Sequence, residues 1–317
     1  MANIKKIAVV GSGAIGSYYG AVLARAGEDV HFLMRSDYEA VRERGLRIET
    51  LDETFTLDSV QASRSTAEIG ECDLVLVAVK TTANEALPDL LRPLVGEHTH
   101  ICTLQNGLGN AEFLAKHFGA ERIIGGLCFI CLNRTEPGVI KNTNRGALTL
   151  APHHEAAREA TEALCEKFKR TGMRAAVMES LNEAIWRKLV WNVPFNGLSI
   201  AAGCLTTDHI CADPHLESLA HKLMKEVQAA ALAQGHKISD NFLEKEFERT
   251  RPMGPYKPSS LIDFVEGREV EVEAIWGEPL RRAQSLGTPT PHLETLYLLI
   301  KGQVAQRGKG LGLHQPE

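Results

Sequence analysis

The run Ile7-Ala-Val-Val-Gly-Ser-Gly-Ala-Ile-Gly16 constrains the fold more than any other part of the chain. Its first four residues read as a buried strand. Residues 14–26 behind it have helical periodicity up to Gly27, a residue type suited to a left-handed cap. Glycines at 11, 13 and 16 therefore fall at a strand-to-helix junction, where each has a separate use. The first permits a tight turn, the second lets backbone N–H groups approach a pyrophosphate at the helix N-terminus, and the third lets the helix pack close to the strand. Gly11, Ser12, Gly13, Ala14, Ile15 and Gly16 are accordingly candidate dinucleotide contacts, the alternative being a glycine-rich turn without ligand.

From there to about residue 150, short Val/Ile/Leu runs at 7–10, 30–34, 74–79, 100–104 and 123–132 alternate with helical stretches. That is the pattern of a mostly parallel sheet covered on both faces, a doubly wound α/β domain. From about residue 179 the alternation gives way to helical periodicity at 181–200, 215–234, 241–249, 278–286 and 292–301, broken by Gly- and Pro-bearing segments. We expect an α/β domain over 1–178 and an all-helical one over 179–317, with a disordered tail at 307–317. Two domains also suit 317 residues, because single cores stop growing near ~250–300 residues.

Net charge is −5 with no long basic run, which argues against a nucleic-acid partner, and no apolar run approaches the ~18 residues of a membrane span. With no signal-peptide pattern at the start, the expectation is a soluble, cytoplasmic protein. Seven scattered cysteines suit reduced, buried thiols better than a disulfide framework. Cys128 and Cys131 form a single CxxC with no second pair at zinc spacing, so no metal site is expected.

The end of the second strand reports on the cofactor. NAD enzymes usually carry Asp or Glu there for the ribose hydroxyls, whereas this chain reads Phe32-Leu33-Met34-Arg35-Ser36. Arg35 can pair with a 2′-phosphate that a carboxylate would repel, which favours NADP(H), although Asp37 is close by in sequence.

Open α/β sheets bind ligands beyond the carboxyl ends of their strands, the places of Lys80 and Asn106. A surface lysine and an ordinary turn residue before Gly107 are the plainer readings. In the helical half, Lys188, Asn192 and Asn196 recur every four residues and so share one helix face, flanked by Ile185, Trp186, Leu189, Val190 and Val193. An ammonium and two carboxamides in an apolar surround need partners, and Pro194 inside the same helix leaves the Val190 carbonyl without its usual donor. A ligand-facing helix and an ordinary amphipathic helix with a kink both fit. Lys257-Pro-Ser-Ser260 puts hydroxyls at a helix start, as a cap or as a carboxylate site. If Arg268-Glu-Val-Glu-Val-Glu273 is extended, its carboxylates cannot all face one way.

Taken together, Gly11-Ser-Gly-Ala-Ile-Gly16, Val79-Lys80, Leu104-Gln-Asn-Gly-Leu-Gly109, Trp186-Arg-Lys-Leu-Val-Trp-Asn-Val-Pro-Phe-Asn196, Lys257-Pro-Ser-Ser260 and Asp263-Phe-Val-Glu-Gly-Arg268 resemble the ketopantoate reductase (2-dehydropantoate 2-reductase) family over nearly the whole chain. The resemblance implies an N-terminal Rossmann domain joined to a helical domain of the 6-phosphogluconate dehydrogenase C-terminal type. It implies Lys188 as general acid, and Glu271 as the glutamate that orients Lys188 or a substrate hydroxyl. Asn192 and Asn196 would hold the hydroxyl end of the substrate and Ser259 its carboxylate, with Lys80 and Asn106 near both nicotinamide and substrate. An ammonium in a partly apolar setting gives up its proton more readily than one in water, and its charge stabilises a developing alkoxide.

The chain departs from the family pattern at Val139-Ile-Lys-Asn-Thr-Asn-Arg-Gly146, at the bulky Gly126-Leu-Cys-Phe-Ile-Cys-Leu132 and at Trp276. The expected activity is NADPH-dependent reduction of 2-dehydropantoate to (R)-pantoate by a monomer or homodimer. Reduction of another 2-oxo acid, and an NADP(H)-binding sensor without turnover, are the alternatives.

Overall fold

The computed structural model describes residues 3–307 and divides into two compact units, Met1–Ala184 and Ile185–Glu317. Strands β1 (Lys6–Val10), β2 (Asp29–Leu33), β3 (Leu46–Glu49), β4 (Thr54–Leu57), β5 (Gln61–Ser63), β6 (Cys72–Val77), β7 (Val95–Thr103), β8 (Ile123–Phe129), β9 (Leu132–Glu136), β10 (Val139–Asn142), β11 (Ala147–Pro152) and β12 (Ala175–Val177) all belong to the first. Among the described residues they form an eight-stranded sheet in the order β12-β11-β8-β7-β6-β1-β2-β5 and a four-stranded sheet in the order β4-β3-β10-β9.

In the large sheet β1 lies parallel between β2 and β6. The chain leaves β1 toward β2 and returns to its other side at β6, so the order reverses at the carboxyl end of β1, where open α/β sheets bind ligands. The apolar runs are strands because both faces are covered: Ile7, Val9, Leu74 and Leu76 are fully buried beside Tyr19, Phe32 and Phe168. The pairing of β11 with β8 is the antiparallel one in this sheet, so β11 and its parallel neighbour β12 run opposite to the other six described strands.

Two expectations change here. The run at 123–132 is not one strand: β8 ends at Phe129 and the chain passes through Ile130 and Cys131 into β9 of the small sheet. That small sheet had no counterpart in the sequence reading. Its strand β4 alternates exposed with half-buried residues and never becomes apolar enough to stand out.

The division between units falls inside the helix Leu181–Ala201, a little past the expected boundary at 178/179. Leu181 accounts for the shift, because its side chain fills the space over Gly125 in β8 and so holds the first turn against the first unit. In the second unit that helix is followed by Thr207–Ala212, Pro214–Ala233, Asp240–Thr250, Ser259–Val265, Glu278–Ser285 and Pro291–Arg307. Asp213 accepts the His215 and Leu216 N–H groups and Ser239 accepts that of Phe242, so side chains start two of these helices.

The segment 268–273 is not a strand. Coil leads into a π-helical turn at Glu273–Gly277, with Glu269 and Glu273 exposed and Glu271 buried. Arg307, expected in a disordered tail, ends a helix and donates to the carbonyls of Asp263, Phe264 and Arg268. The rest of that tail, 308–317, lies outside the described residues.

Candidate active site

Each glycine of the first loop has its own steric signature. Gly11 has φ +100°, and a β-carbon there would lie 2.4 Å from Val79 N and 2.6 Å from Ala78 C, so the turn presses against the chain leaving β6. At Gly16 a β-carbon would lie 2.3 Å from the Gly11 carbonyl oxygen and 3.0 Å from Val9 Cγ1. Gly13 is the opposite case: nothing stands within 4 Å of an added β-carbon, although it caps the helix Ala14–Arg25 with no side-chain bond to that end. Two glycines are thus required by the protein itself, while the third leaves open space in front of helix N–H groups, as a pyrophosphate requires. Ser12 ties this loop to the next strand, its Oγ donating to the Leu33 carbonyl at 2.8 Å.

Beyond β2, Arg35 is exposed, and none of the described carboxylates or carbonyls takes a hydrogen bond from its guanidinium. Asp37 is only 5% exposed and fully engaged: Oδ1 accepts from Ser36 Oγ at 2.8 Å and Arg134 Nη1 at 2.6 Å, and Oδ2 accepts the Gly138 N–H at 3.0 Å. Its carboxylate is committed to Ser36, Arg134 and the β9–β10 turn. The structure therefore separates two residues that sequence alone left in competition, and the residues here fit a cofactor bearing a 2′-phosphate.

Lys80 follows β6 and Asn106 follows β7, and both side chains are half-buried. These strands are parallel neighbours, with Val77 beside Thr103, so the two loops emerge side by side. Gln105, Asn84 and Asn110 join them in a carboxamide chain that sequence reading missed. Gln105 Nε2 donates to the Val79 carbonyl at 3.0 Å and to Asn84 Oδ1 at 2.7 Å. Asn84 Nδ2 donates to Asn110 Oδ1 at 2.9 Å, and Asn110 Nδ2 to the Asn106 carbonyl at 2.9 Å. Nothing in the local pattern marks these three as partners, since Asn84 lies 21 and 26 residues from the other two.

In the second unit the stripe of Lys188, Asn192 and Asn196 lies on the helix Leu181–Ala201, which continues through Pro194. Four of its five apolar flanks are sealed, Trp186, Leu189, Val190 and Val193 being at most 1% exposed, while Ile185 is half-buried. Lys188 is half-buried, Asn192 is 8% exposed and Asn196 1%. Such burial excludes a solvated face. The asparagines then diverge. Asn196 Oδ1 accepts the Ser260 N–H at 2.9 Å, whereas no described residue hydrogen-bonds the Asn192 carboxamide. Asn196 thereby supplies the cap for the helix Ser259–Val265; Pro258 occupies its N-cap position and Ser259 is exposed. The plain N-cap reading of the serines is thus set aside.

The family model for "Ketopantoate reductase PanE/ApbA" matches residues 7–155, and that for "Ketopantoate reductase PanE/ApbA C terminal" matches 180–304. This chain belongs to the ketopantoate reductase family. It is 41% identical over 304 residues to a 2-dehydropantoate 2-reductase of Nostoc sp., covering 94% of this chain and 95% of that one. The crystal structure of 2-dehydropantoate 2-reductase from Geobacter metallireducens is 45% identical with a TM-score of 0.91, covering 94% of this chain and 99% of that one. The corresponding enzyme structure from Methylococcus capsulatus is 34% identical with a TM-score of 0.86, covering 95% and 97%.

One departure from the ketopantoate reductase pattern finds a structural explanation. Trp276 is fully buried and its indole N–H donates to the Val193 carbonyl at 2.9 Å, with Gly197 leaving room for the ring. It is a core residue that braces the helix one residue before Pro194. In the segment 126–132, Gly126 is closed off by Leu104 and Leu150, and Cys128 is buried. All seven cysteines are free thiols; burial pushes Cys72 up to about 11 and raises Cys102 further. Among the described residues no group of three His, Cys, Asp or Glu side chains is placed to hold a metal ion, and no helix is long and apolar enough to cross a membrane.

Proposed function

We propose that this protein is an NADPH-dependent reductase of 2-dehydropantoate, forming (R)-pantoate for pantothenate and coenzyme A biosynthesis. The observation that carries the reading is the buried-flank stripe of Lys188 and Asn192, in a chain of this family whose Arg35 is left without a carboxylate partner. Residues 1–178 bind the cofactor. Gly13 admits the pyrophosphate to the N–H groups of the first helix, with Gly11, Ser12, Ala14, Ile15 and Gly16 shaping the loop, and Arg35 pairs with the 2′-phosphate. Residues 179–317 carry the proton donor and the substrate contacts.

Bound NADPH supplies the hydride for the carbonyl carbon. Lys188 donates a proton to the ketone oxygen, and its charge stabilises that oxygen as negative charge develops. Glu271 orients the Lys188 ammonium or a substrate hydroxyl. Asn192 offers its carboxamide to the hydroxyl end of the substrate. Asn196, with Oδ1 committed to Ser260, contributes its Nδ2 donor alone. The Ser259 hydroxyl takes the carboxylate, and Lys80 and Asn106 contact nicotinamide and substrate from loops braced by Gln105, Asn84 and Asn110. The expected setting is the cytoplasm, as a monomer or homodimer with no nucleic-acid partner.

NADPH consumption with a panel of 2-oxo acids tests the reading. Highest kcat/KM with 2-dehydropantoate is expected. Preference for a different branched or bulky acid would replace the substrate, and tight NADPH binding with no turnover on any acid would indicate a sensor.

A further inference from the structure

Of the charges at positions 35, 37 and 39, just beyond the end of β2, two are ion-paired and one is not. Glu39 is paired with Arg64, and Asp37 with Arg134, while Arg35 is exposed with no carboxylate partner among the described residues. Arg134 is brought there from β9, in the small sheet, 97 residues along the chain from Asp37. Its Nη1 bonds Asp37 Oδ1 at 2.6 Å and Ser36 Oγ at 3.1 Å, and its side chain stays 43% exposed against 6% for that of Asp37.

We propose that Arg134 is a specificity-determining residue for a 2′-phosphorylated cofactor, because it cancels the charge of Asp37 and so leaves Arg35 as an uncompensated cation. The inference rests on the NADPH reading of Arg35. A carboxylate two residues from Arg35 with no counter-charge would repel a 2′-phosphate and favour the ribose hydroxyls of a cofactor lacking one. The fold nevertheless uses that carboxylate, since Asp37 Oδ2 takes the Gly138 N–H and anchors the β9–β10 turn. The same hairpin that needs the acid therefore delivers the base that neutralises it. Arg134 acts through Asp37 and is a positioning residue in that sense.

The test uses the full-length protein, with dissociation constants for NADPH and NADH from fluorescence titration and thermal unfolding in parallel. Arg35→Ala comes first: it should weaken NADPH far more than NADH, and equal losses would remove the 2′-phosphate reading itself, whatever Arg134 does. Given selectivity at Arg35, Arg134→Gln should weaken NADPH about tenfold, the scale of one unit charge across a partly exposed site, with NADH unchanged or tighter. Adding Asp37→Asn, which keeps an acceptor for Gly138, should restore NADPH affinity, and Arg134→Lys should largely retain it. Asp37→Asn alone should raise the preference for NADPH severalfold, a readout that stands even where Arg134→Gln is too unstable to assay. Equal weakening of both cofactors by Arg134→Gln, no rescue in the double variant, or an unchanged or lowered preference in Asp37→Asn would overturn the proposal.

Discussion

The two units carry their candidate chemistry in different materials. In the first the pyrophosphate loop is written in the backbone, beside the side chains of Arg35, Lys80 and Asn106: Gly11 and Gly16 admit no β-carbon, and Gly13 leaves space before a helix end. In the second it is written in side chains on one helix, where Lys188 and the two asparagines stand among largely buried apolar neighbours. The contrast teaches that a backbone-built site fails together with the local fold, whereas a side-chain site can be emptied while the fold persists. Gly13 and Asn196 are the exceptions that probe the rule from each side, one a backbone position with room to spare and the other a side chain that also builds the fold.

The comparison can be broken at several points. Gly16→Ala should have the largest effect on the whole protein, about 3 kcal/mol of lost stability with cofactor binding lost alongside, because backbone atoms must move to admit the methyl group; a thermal melt equal to wild type would refute the close packing. Gly13→Ala should leave the unliganded melt within ~0.5 kcal/mol yet raise the NADPH dissociation constant about tenfold or more, and an unchanged constant would take the pyrophosphate away from this loop. Asn196→Ala should cost about 1–2 kcal/mol, since the Ser260 N–H loses its acceptor, whereas Asn192→Ala should raise KM for the oxo acid at nearly unchanged stability. Equal destabilisation of the two would erase the distinction between them. The smallest effect concerns the thiols: at neutral pH half-buried Cys131 should be alkylated ahead of Cys72 and Cys102, whose burial holds them in the unreactive thiol form, and peptide mapping would reveal the reverse order.

What could be read from sequence follows the same division. The glycine loop and the stripe of residues 188, 192 and 196 are local patterns, legible because helix and strand periodicities act over a few residues. Asp37 was ambiguous because its partners, Arg134 and Gly138, come from a hairpin about a hundred residues away. Pro137 and Gly138 form the turn of that hairpin, but the flanking strands are short and half-exposed, so the small sheet had no apolar run to announce it. The carboxamide chain through Gln105 was hidden for the same reason. Conversely, Trp276 stood out as a departure from the family pattern, and its burial and its bond to the Val193 carbonyl show it to be part of the core.

One preparation of Lys188→Ala addresses the central claim most directly, with NADPH titration and turnover of 2-dehydropantoate measured on the same sample. An NADPH dissociation constant close to wild type with kcat lowered at least ~10²-fold is the expected result. An unchanged kcat would remove Lys188 from the proton transfer and contradict the account.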